Sequence, residues 1–310
     1  MELICQNTIM KKRTEQTMET GKMISLLLAV FLLCTLSGCG LGRNMNRDVS
    51  EEQSTEATDV ADAEKTTTMS DLIGSLDGNE TGDGEETLPD TVLWFNATYA
   101  PLTYSNSGDW KLVGGVEPGG MDSNLLQYTL NRDWNIEDKA SALETVESLK
   151  ENGHRAKFRE CREQLEEMEL LDYGEEEFVQ KLMESGIEEN LFRYVIVYYL
   201  YQDGLDENAI AAWDLCRVNQ LYADFYICEY MTYEEAMDAS LENSKILQQM
   251  YPSWEAMVDS YMLGYQFWQS DPCMTEDSPT LKRYSYYEIL HEMDDGPYTL
   301  DWNMELKKSW

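Results

Sequence analysis

The spacing of hydrophobic and polar positions changes near residue 91. Residues 40–90 are dominated by Ser, Thr, Gly, Asp and Glu, and their few apolar residues cannot bury enough surface to offset the entropy of ordering. From residue 91 onward, apolar residues recur every three or four positions, which is the spacing of one helix face. Alternation with a period of two is rare, apart from a possible extended piece at residues 110–113. The pattern predicts a disordered, acidic tether followed by an all-α domain over residues 91–310.

The periodicity predicts about ten helices, joined by short connections into a compact multi-helix array. Thr232 and Glu235 have the spacing of a capping box, in which each side chain bonds the other residue's backbone amide. Gly153 and Gly204 fit helix stops, and Pro279 fits the first turn of a helix. The predicted helices lie near residues 91–100, 122–131, 138–151, 155–170, 175–185, 188–202, 207–229, 233–249, 254–269 and 280–293.

An export signal is indicated ahead of the tether. Residues 11–38 combine a basic stretch, an apolar run over residues 23–34 and the small-residue exit Leu36-Ser37-Gly38-Cys39. As a helix the apolar run would rise about 18 Å, well short of the roughly 30 Å of hydrocarbon in a bilayer, which favours a cleaved signal over a spanning anchor. The exit resembles the lipobox of bacterial lipoproteins. That resemblance implies a signal peptide over residues 1–38, lipid on Cys39, and an extracytoplasmic protein held on the bacterial membrane.

The net charge of the chain limits the classes of partner that it can bind. It has 59 acidic and 23 basic residues, which give a formal net charge of −36. Such a surface repels nucleic acid and anionic headgroups at long range, because binding them depends on clustered Lys and Arg. We therefore expect no nucleic acid partner, contact with the membrane through the lipid on Cys39, and attraction to a basic protein or peptide.

The residues that bind metals or form disulfides are few. Only two histidines are present, His154 and His291, and neither a CxxC nor an HExxH motif occurs. The acidic runs lack the Asp-x-Asp-x-Asp-Gly loop of a dedicated calcium site. We expect no metal site, no cofactor and no disulfide framework. The cysteines after Cys39 are Cys161, Cys216, Cys228 and Cys273.

Four blocks in the second half of the chain form a recognisable pattern. They are Trp213-Asp214-Leu215-Cys216-Arg217, Tyr230-Met231-Thr232-Tyr233-Glu234-Glu235-Ala236, Tyr251-Pro252-Ser253-Trp254-Glu255 and Ser260-Tyr261-Met262-Leu263-Gly264-Tyr265-Gln266-Phe267-Trp268. Together they resemble the bacterial family called domain of unknown function 1266. Upstream, Trp134-Asn135-Ile136 and Gly153-His154-Arg155 are similar to that family's N-terminal half. The resemblance covers roughly residues 92–270, and it implies a helical domain without supplying a reaction.

Three polar residues are candidates for a functional site. Asp214 and Arg217 stand at i and i+3 of one predicted helix, beside Trp213, so their side chains can meet on one face. Arg217 could hold an anion there, or the two residues could form a structural ion pair, which we favour because such pairs are common. His154 follows Gly153 at a helix junction, where an imidazole could act as a base or simply cap or stack.

Aromatic residues are unusually frequent in the predicted domain. Trp213, Tyr261 and Trp268 are candidates for an interaction surface, because aromatic side chains tolerate a wet edge, although their helical spacing makes core packing the default. Gly264 lies within this aromatic run and is expected to permit a close helix contact. His291, among acidic neighbours, is expected to be a solvated residue at a helix end.

Two functions remain open after these observations. The leading hypothesis is a membrane-tethered module that binds a protein or peptide through an acidic helical surface, because no recognised catalytic set is present. The alternative is an envelope hydrolase, which would require Asp214, Arg217 and His154 to converge in one polar cleft. A two-lobed solute-binding lipoprotein is disfavoured because the repeated strand and helix units of that class are missing.

Overall fold

The computed structural model describes residues 87–187, 189–273, 275 and 277–310. These residues are mainly helical and contain no strand, which confirms the predicted all-α class. The predicted signal peptide, the predicted lipid site at Cys39 and nearly all of the predicted tether lie outside the described residues. No helix in the described ranges combines the length and apolarity that crossing a bilayer requires.

Ten α-helices and three short 3-10 turns make up the part of the chain that the structure describes, in agreement with the predicted number. The helices are α1 (Asp90–Ser105), α2 (Gly120–Trp134), α3 (Lys139–Glu151), α4 (Gly153–Glu167), α5 (Glu175–Glu184), α6 (Leu191–Gln202), α7 (Ala211–Ile227), α8 (Tyr233–Met250), α9 (Trp254–Gln269) and α10 (Pro279–Glu292). The 3-10 turns are Val113–Gly115, Glu207–Ile210 and Pro297–Thr299.

Several helix ends form as their residue types predict. The amide of Glu235 donates to Thr232 Oγ1 over 3.2 Å, and the amide of Thr232 donates to the Glu235 carboxylate over 3.0 Å, so the capping box is confirmed. Pro279 is the first residue of α10, and Gly204 follows α6 with a φ of +73°. Gly153 likewise follows the C-cap residue of α3, with a φ of +50°, and it is also the first residue of α4.

The predicted extended piece at residues 110–113 is wrong. These residues form a turn that leads into the 3-10 turn Val113–Gly115. The amide of Leu112 donates to the carbonyl of Asp109, and the Asn96 side chain donates to the carbonyl of Leu112, each over 3.0 Å. The segment therefore satisfies its backbone locally and against α1, which leaves no need for a neighbouring strand.

Helix α7 lies at the centre of the domain. It packs against α1, α3, α4, α8 and α9, and except for Gln220 and Tyr226 every residue of α7 is buried. Helix α9 approaches α7 closely at Gly264, which has no side chain to obstruct Trp213. A Cβ at this position would collide with the Trp213 side chain. This contact agrees with the expectation for Gly264. A helix that is buried on all sides must either find internal partners for its ionisable side chains or hold them in the uncharged form.

The N-terminal and C-terminal parts of the described chain meet in one aromatic group. The ring centroid of Trp94 on α1 lies 4.8 Å from that of Trp254 on α9 and 5.0 Å from that of Trp302. Trp302 also donates from its indole nitrogen to the carbonyl of Tyr251 over 3.0 Å. The segment after α10 is therefore part of the main hydrophobic core.

A smaller core forms where α4, α5 and α6 meet. Phe158, Phe178 and Val197 are fully buried there, and Phe178 stacks on Tyr198 with the ring centroids 3.8 Å apart. Phe267 of α9 belongs to this smaller core, since its ring lies 5.6 Å from that of Phe158. The junction between α3 and α4, which carries His154, is thereby held against α7 and α9.

Candidate functional site

The side chain of Asp214 projects from α7 toward the start of α4 and is 0% exposed. Its carboxylate accepts four hydrogen bonds from described residues. The amides of His154 and Arg155 donate over 2.9 and 3.4 Å, and the side chains of Arg155 and Arg217 donate over 3.2 and 3.1 Å. The amides at the start of a helix lack partners within that helix, so Asp214 caps α4. Its negative charge is balanced by Arg155 and Arg217.

Gly153 allows this cap to form. Its φ of +50° is a conformation that other L-residues rarely adopt, and a Cβ at this position would collide with the Asp214 carboxylate. Glycine therefore brings the backbone at the α3–α4 junction into direct contact with a side chain of α7.

Arg217 connects the carboxylate to the imidazole. One terminal nitrogen contacts both Asp214 Oδ1 and, over 2.8 Å, His154 Nδ1, while Nε donates to the carbonyl of Trp213 over 3.2 Å. The guanidinium also lies over the Trp213 ring, 4.3 Å from its centroid. A guanidinium can only donate, so His154 Nδ1 must accept, and the neutral imidazole carries its hydrogen on Nε2.

The pKa values of Asp214 and His154 are both shifted, and the directions fit an ionised carboxylate beside a neutral imidazole. Burial alone would raise the pKa of Asp214, but hydrogen bonding to His154, whose backbone amide donates to Oδ1, and the charge of Arg217 hold it below its ordinary value. Burial lowers the pKa of His154, and the charge of Arg217 lowers it further, against the opposing effect of Asp214. At neutral pH the cluster therefore holds an ionised carboxylate and an uncharged histidine.

The structure brings Asp214, Arg217 and His154 together, which the hydrolase hypothesis required. The His154 side chain is 24% exposed, whereas Asp214 is fully buried and the Arg217 side chain is almost so. Each oxygen of Asp214 already has donors from the chain itself. This geometry favours the structural ion pair over a cleft in which Asp214 or Arg217 contacts a ligand.

The predicted aromatic surface is wrong for two of its three residues. Trp213 and Tyr261 are buried between α7 and α9, with their ring centroids 5.3 Å apart. Trp268 is partly exposed and stacks on Trp213 at 5.6 Å. Tyr261 accepts a hydrogen bond from buried Arg283 over 3.0 Å. Helical spacing places these rings on the contact faces of two packed helices, where core packing takes precedence over display.

His291 lies near the end of α10 with its side chain 48% exposed. Its Nε2 is 3.8 Å from the Glu255 carboxylate, and its ring packs 5.5 Å from that of Tyr287. The exposure and the position agree with the expected solvated helix-end residue.

The residues that could bind a metal do not converge in the described ranges. No group of three or more His, Cys, Asp or Glu side chains there has the geometry of a metal site. The described cysteines are all free thiols, and burial raises the pKa of Cys216 and brings that of Cys228 to about 12. Those thiols are therefore protonated at neutral pH and are poor metal ligands.

Sequence reasoning missed an exposed apolar row on α2. Met121, Leu125 and Tyr128 stand at i, i+4 and i+7 and are 84%, 63% and 60% exposed. We call these three residues the α2 stripe. The buried residues Ser123 and Leu130 lie on the opposite face of the helix. The i, i+4, i+7 spacing was visible in the sequence, but a helix with two apolar faces does not reveal which face meets the core.

A shallow cavity of about 510 Å³ lies at the turn between α7 and α8. We call it the turn cavity. It is close to α2, because the Gln127 side chain donates to the carbonyl of Cys228 over 3.2 Å. Its lining consists of Lys139, Tyr226, Glu229, Tyr230, Met231, Thr232 and Glu235.

Comparison with known proteins gives one family. The family model described as protein of unknown function (DUF1266) matches residues 129–302, more than half of the chain. The match begins later and ends later than the 92–270 expected from the sequence blocks, and it includes Trp302, which the core requires. A search of the curated proteins gives no match, and a search of solved structures gives none. Because the family model covers more than half of the chain and includes His154, Asp214 and Arg217, this chain belongs to the DUF1266 family of proteins of unknown function.

Proposed function

We propose that this chain is a binding module for a basic protein or peptide, and that the α2 stripe is its docking face. The exposure of Met121, Leu125 and Tyr128 carries this proposal. Single exposed apolar residues are common on protein surfaces, but three large ones in a row on one helix form a patch that gains free energy when a partner covers it.

The residues of the α2 stripe lie outside the two hydrophobic cores of the described chain. The helix is anchored by its buried residues Ser123, Leu130 and Asp133. Apolar residues opposite those anchors contribute little to folding and remain available to a helix or strand of another protein. The row has the i, i+4, i+7 geometry that fits a helical partner lying along it.

The charge of the surroundings selects a basic partner. The whole chain has a formal charge of −36, and Asp122 is exposed on the same helix as the stripe. Arg132 lies over the Tyr128 ring at 5.6 Å, but its charge is offset by its ion pair with Asp133. A cationic partner is attracted at long range by such a surface, whereas two copies of this chain repel each other.

We further propose that the module is displayed outside the cell on a lipid attached to Cys39. The sequence Leu36-Ser37-Gly38-Cys39 after a short apolar run supports this location. Metabolic labelling with a fatty acid tests it, and we expect label on the wild-type chain and none on Cys39→Ala. Equal labelling of the two chains would contradict the lipoprotein assignment.

The docking face can be tested with a defined probe. The probe is a synthetic amphipathic helical peptide with Leu on one face and Lys on the other, titrated into the full chain and followed by calorimetry. We expect Leu125→Ala combined with Tyr128→Ala to weaken binding about tenfold or more, because burying such side chains contributes roughly 1.5–3 kcal/mol each and 1.4 kcal/mol is tenfold.

A matched control separates docking from general apolarity and charge. Ile246→Ala combined with Met250→Ala removes two exposed apolar residues from α8 without touching α2. We expect this α8 variant to bind the Lys peptide like wild type. A peptide with Glu in place of Lys should bind neither the wild type nor this variant. Equal weakening by the α2 and α8 double substitutions would overturn the assignment of the docking face.

A further inference from the structure

The turn cavity has two aromatic walls that are held in place. Tyr226 packs edge to face on Tyr233 with the ring centroids 5.2 Å apart, and Tyr230 packs at 6.5 Å from Phe225. Both lining tyrosines are only partly buried, so part of each ring stays open to the cavity. The face of an aromatic ring attracts ammonium and guanidinium groups, because its quadrupole is negative there.

The charged residues of the cavity are predominantly acidic. Lys139 donates to the Glu235 carboxylate over 2.6 Å, so one ammonium group of the chain already occupies an ion pair in this cavity. Glu229 also lines the cavity, and no described residue donates a hydrogen bond to its carboxylate. Burial raises the pKa of Tyr230, and the nearby Cys228, Asp138 and Glu137 raise it further. The remaining charge around the rings is therefore negative.

A rigid turn places Glu229 at the rim of the cavity. Its φ of +60° lies in the left-handed region, which a residue other than glycine occupies only when its surroundings hold it there. The amide of Glu229 donates to the carbonyl of Tyr226 over 3.1 Å, and the next amide donates to the carbonyl of Phe225 over 2.8 Å. The backbone that carries Glu229 is thus held beside the aromatic walls, so only its side chain has to be ordered when a ligand binds.

We infer that the turn cavity is a subsite for a cationic side chain of the partner, in which the guanidinium of an arginine or the ammonium of a lysine pairs with Glu229 against the rings of Tyr226 and Tyr230. This inference rests on the proposed function, because it specifies a part of the same partner. The contact of Gln127 with Cys228 holds this turn against α2, so the cavity lies beside the helix that carries the α2 stripe.

Small probes test the subsite separately from the docking face. N-acetyl-arginine amide and N-acetyl-lysine amide are titrated into the full chain, with the uncharged citrulline amide as an isosteric control. Amide chemical shifts over residues 226–235 are followed by NMR. We expect shifts with the two cations and none with citrulline, and Glu229→Gln should weaken cation binding about threefold or more, as expected for an exposed ion pair and cation–π contact.

A matched variant controls for loss of charge alone. Glu169→Gln removes an exposed carboxylate that also follows a helix with a positive φ, of +57°, but lies outside the cavity. We expect Glu169→Gln to bind the cations like wild type, and Tyr230→Leu to weaken them. Shifts with citrulline, or equal affinity in Glu229→Gln and wild type, would overturn the subsite. Leu125→Ala with Tyr128→Ala should leave the probes unaffected, so failure of the docking face and failure of the subsite give different results.

Discussion

Helix α7 carries two buried carboxyl groups, Asp214 and Asp224, which differ in their hydrogen-bond partners and in their charge. Near its first turn, Asp214 accepts four hydrogen bonds and its pKa is held below the ordinary value. Near its last turn, the carboxyl group of Asp224 receives no hydrogen bond from any described residue, and burial raises its pKa to about 8. At neutral pH the first is therefore ionised and the second is mainly protonated.

The contrast shows that partners, and not depth, decide the charge of a buried acid. Asp214 has two arginines and two amides aimed at it, which offset the cost of removing its charge from water. Asp224 lies close to Gly114 and Cys228, with no cation against it. The protonated, uncharged form of Asp224 therefore has the lower free energy at neutral pH. The four predictions that follow test this contrast in order of decreasing effect.

The largest effect is expected from Arg217→Ala. It removes one cation from a fully buried carboxylate, and such a loss destabilises a domain by roughly 3–5 kcal/mol. The free energy of unfolding is measured with chemical denaturant on the full chain. Arg162→Ala is the control, because both partners of its ion pair with Glu166 are in contact with solvent, with side chains 34% and 48% exposed. A free energy of unfolding of Arg217→Ala within error of the wild-type value would place Asp214 in the same class as Asp224.

Gly153→Ala should have the next largest effect, a loss of roughly 2–5 kcal/mol. A left-handed φ costs about 1–2 kcal/mol for alanine, and forcing the Asp214 carboxylate aside adds about 1–3 kcal/mol. Gly204→Ala has a similar φ of +73° but meets no atom within 4 Å, so it should show only the conformational cost. Equal losses in the two variants would show that α4 does not depend on the close approach to Asp214.

Asp224 should make stability fall as the pH rises. Its folded pKa of about 8 is above the unfolded value, so its contribution is complete below about pH 4 and is lost as the pH rises toward 8. Between pH 6 and pH 8 the wild type should lose roughly 2 kcal/mol relative to Asp224→Asn. Thermal melts at the two pH values measure this difference. Parallel pH profiles for the two chains would show that Asp224 is ionised or partnered like Asp214.

The smallest effect is expected from His154→Gln, about 1 kcal/mol or less. The imidazole is neutral and partly exposed, and the glutamine amide oxygen can still accept from Arg217. The same denaturant measurement applies. A loss as large as that of Arg217→Ala would make the imidazole, and not the carboxylate, the centre of the cluster.

The sequence allowed one end of α7 to be predicted much better than the other. The i, i+3 spacing of Asp214 and Arg217 is local, so their pairing followed from helix geometry alone. The convergence with His154 depends on packing between residues 60 positions apart, which no periodicity reports. The burial of Asp224 was not predicted because it depends on the packing of α1 and the Val113–Gly115 turn against α7, which is also nonlocal.

The fold class and most helix ends were predictable because capping and periodicity are local properties. The errors at residues 110–113 and at the aromatic surface share one cause. In the first case Asn96, distant in sequence, satisfies the segment, and in the second the packing of α9 on α7 covers Trp213 and Tyr261. The lipid on Cys39 and the tether remain predictions.

The contact between Trp94 and Trp302 has a consequence for the order of folding. Helix α1 is made early in synthesis, but its indole ring cannot reach its final neighbours until residue 302 has been made. The domain therefore has a long-range closure that must be completed after most other helices can already have paired. Such nonlocal closure slows folding and leaves the apolar face of α1 exposed in the meantime. A nascent chain of this protein is consequently a candidate for chaperone protection until its final aromatic residues arrive.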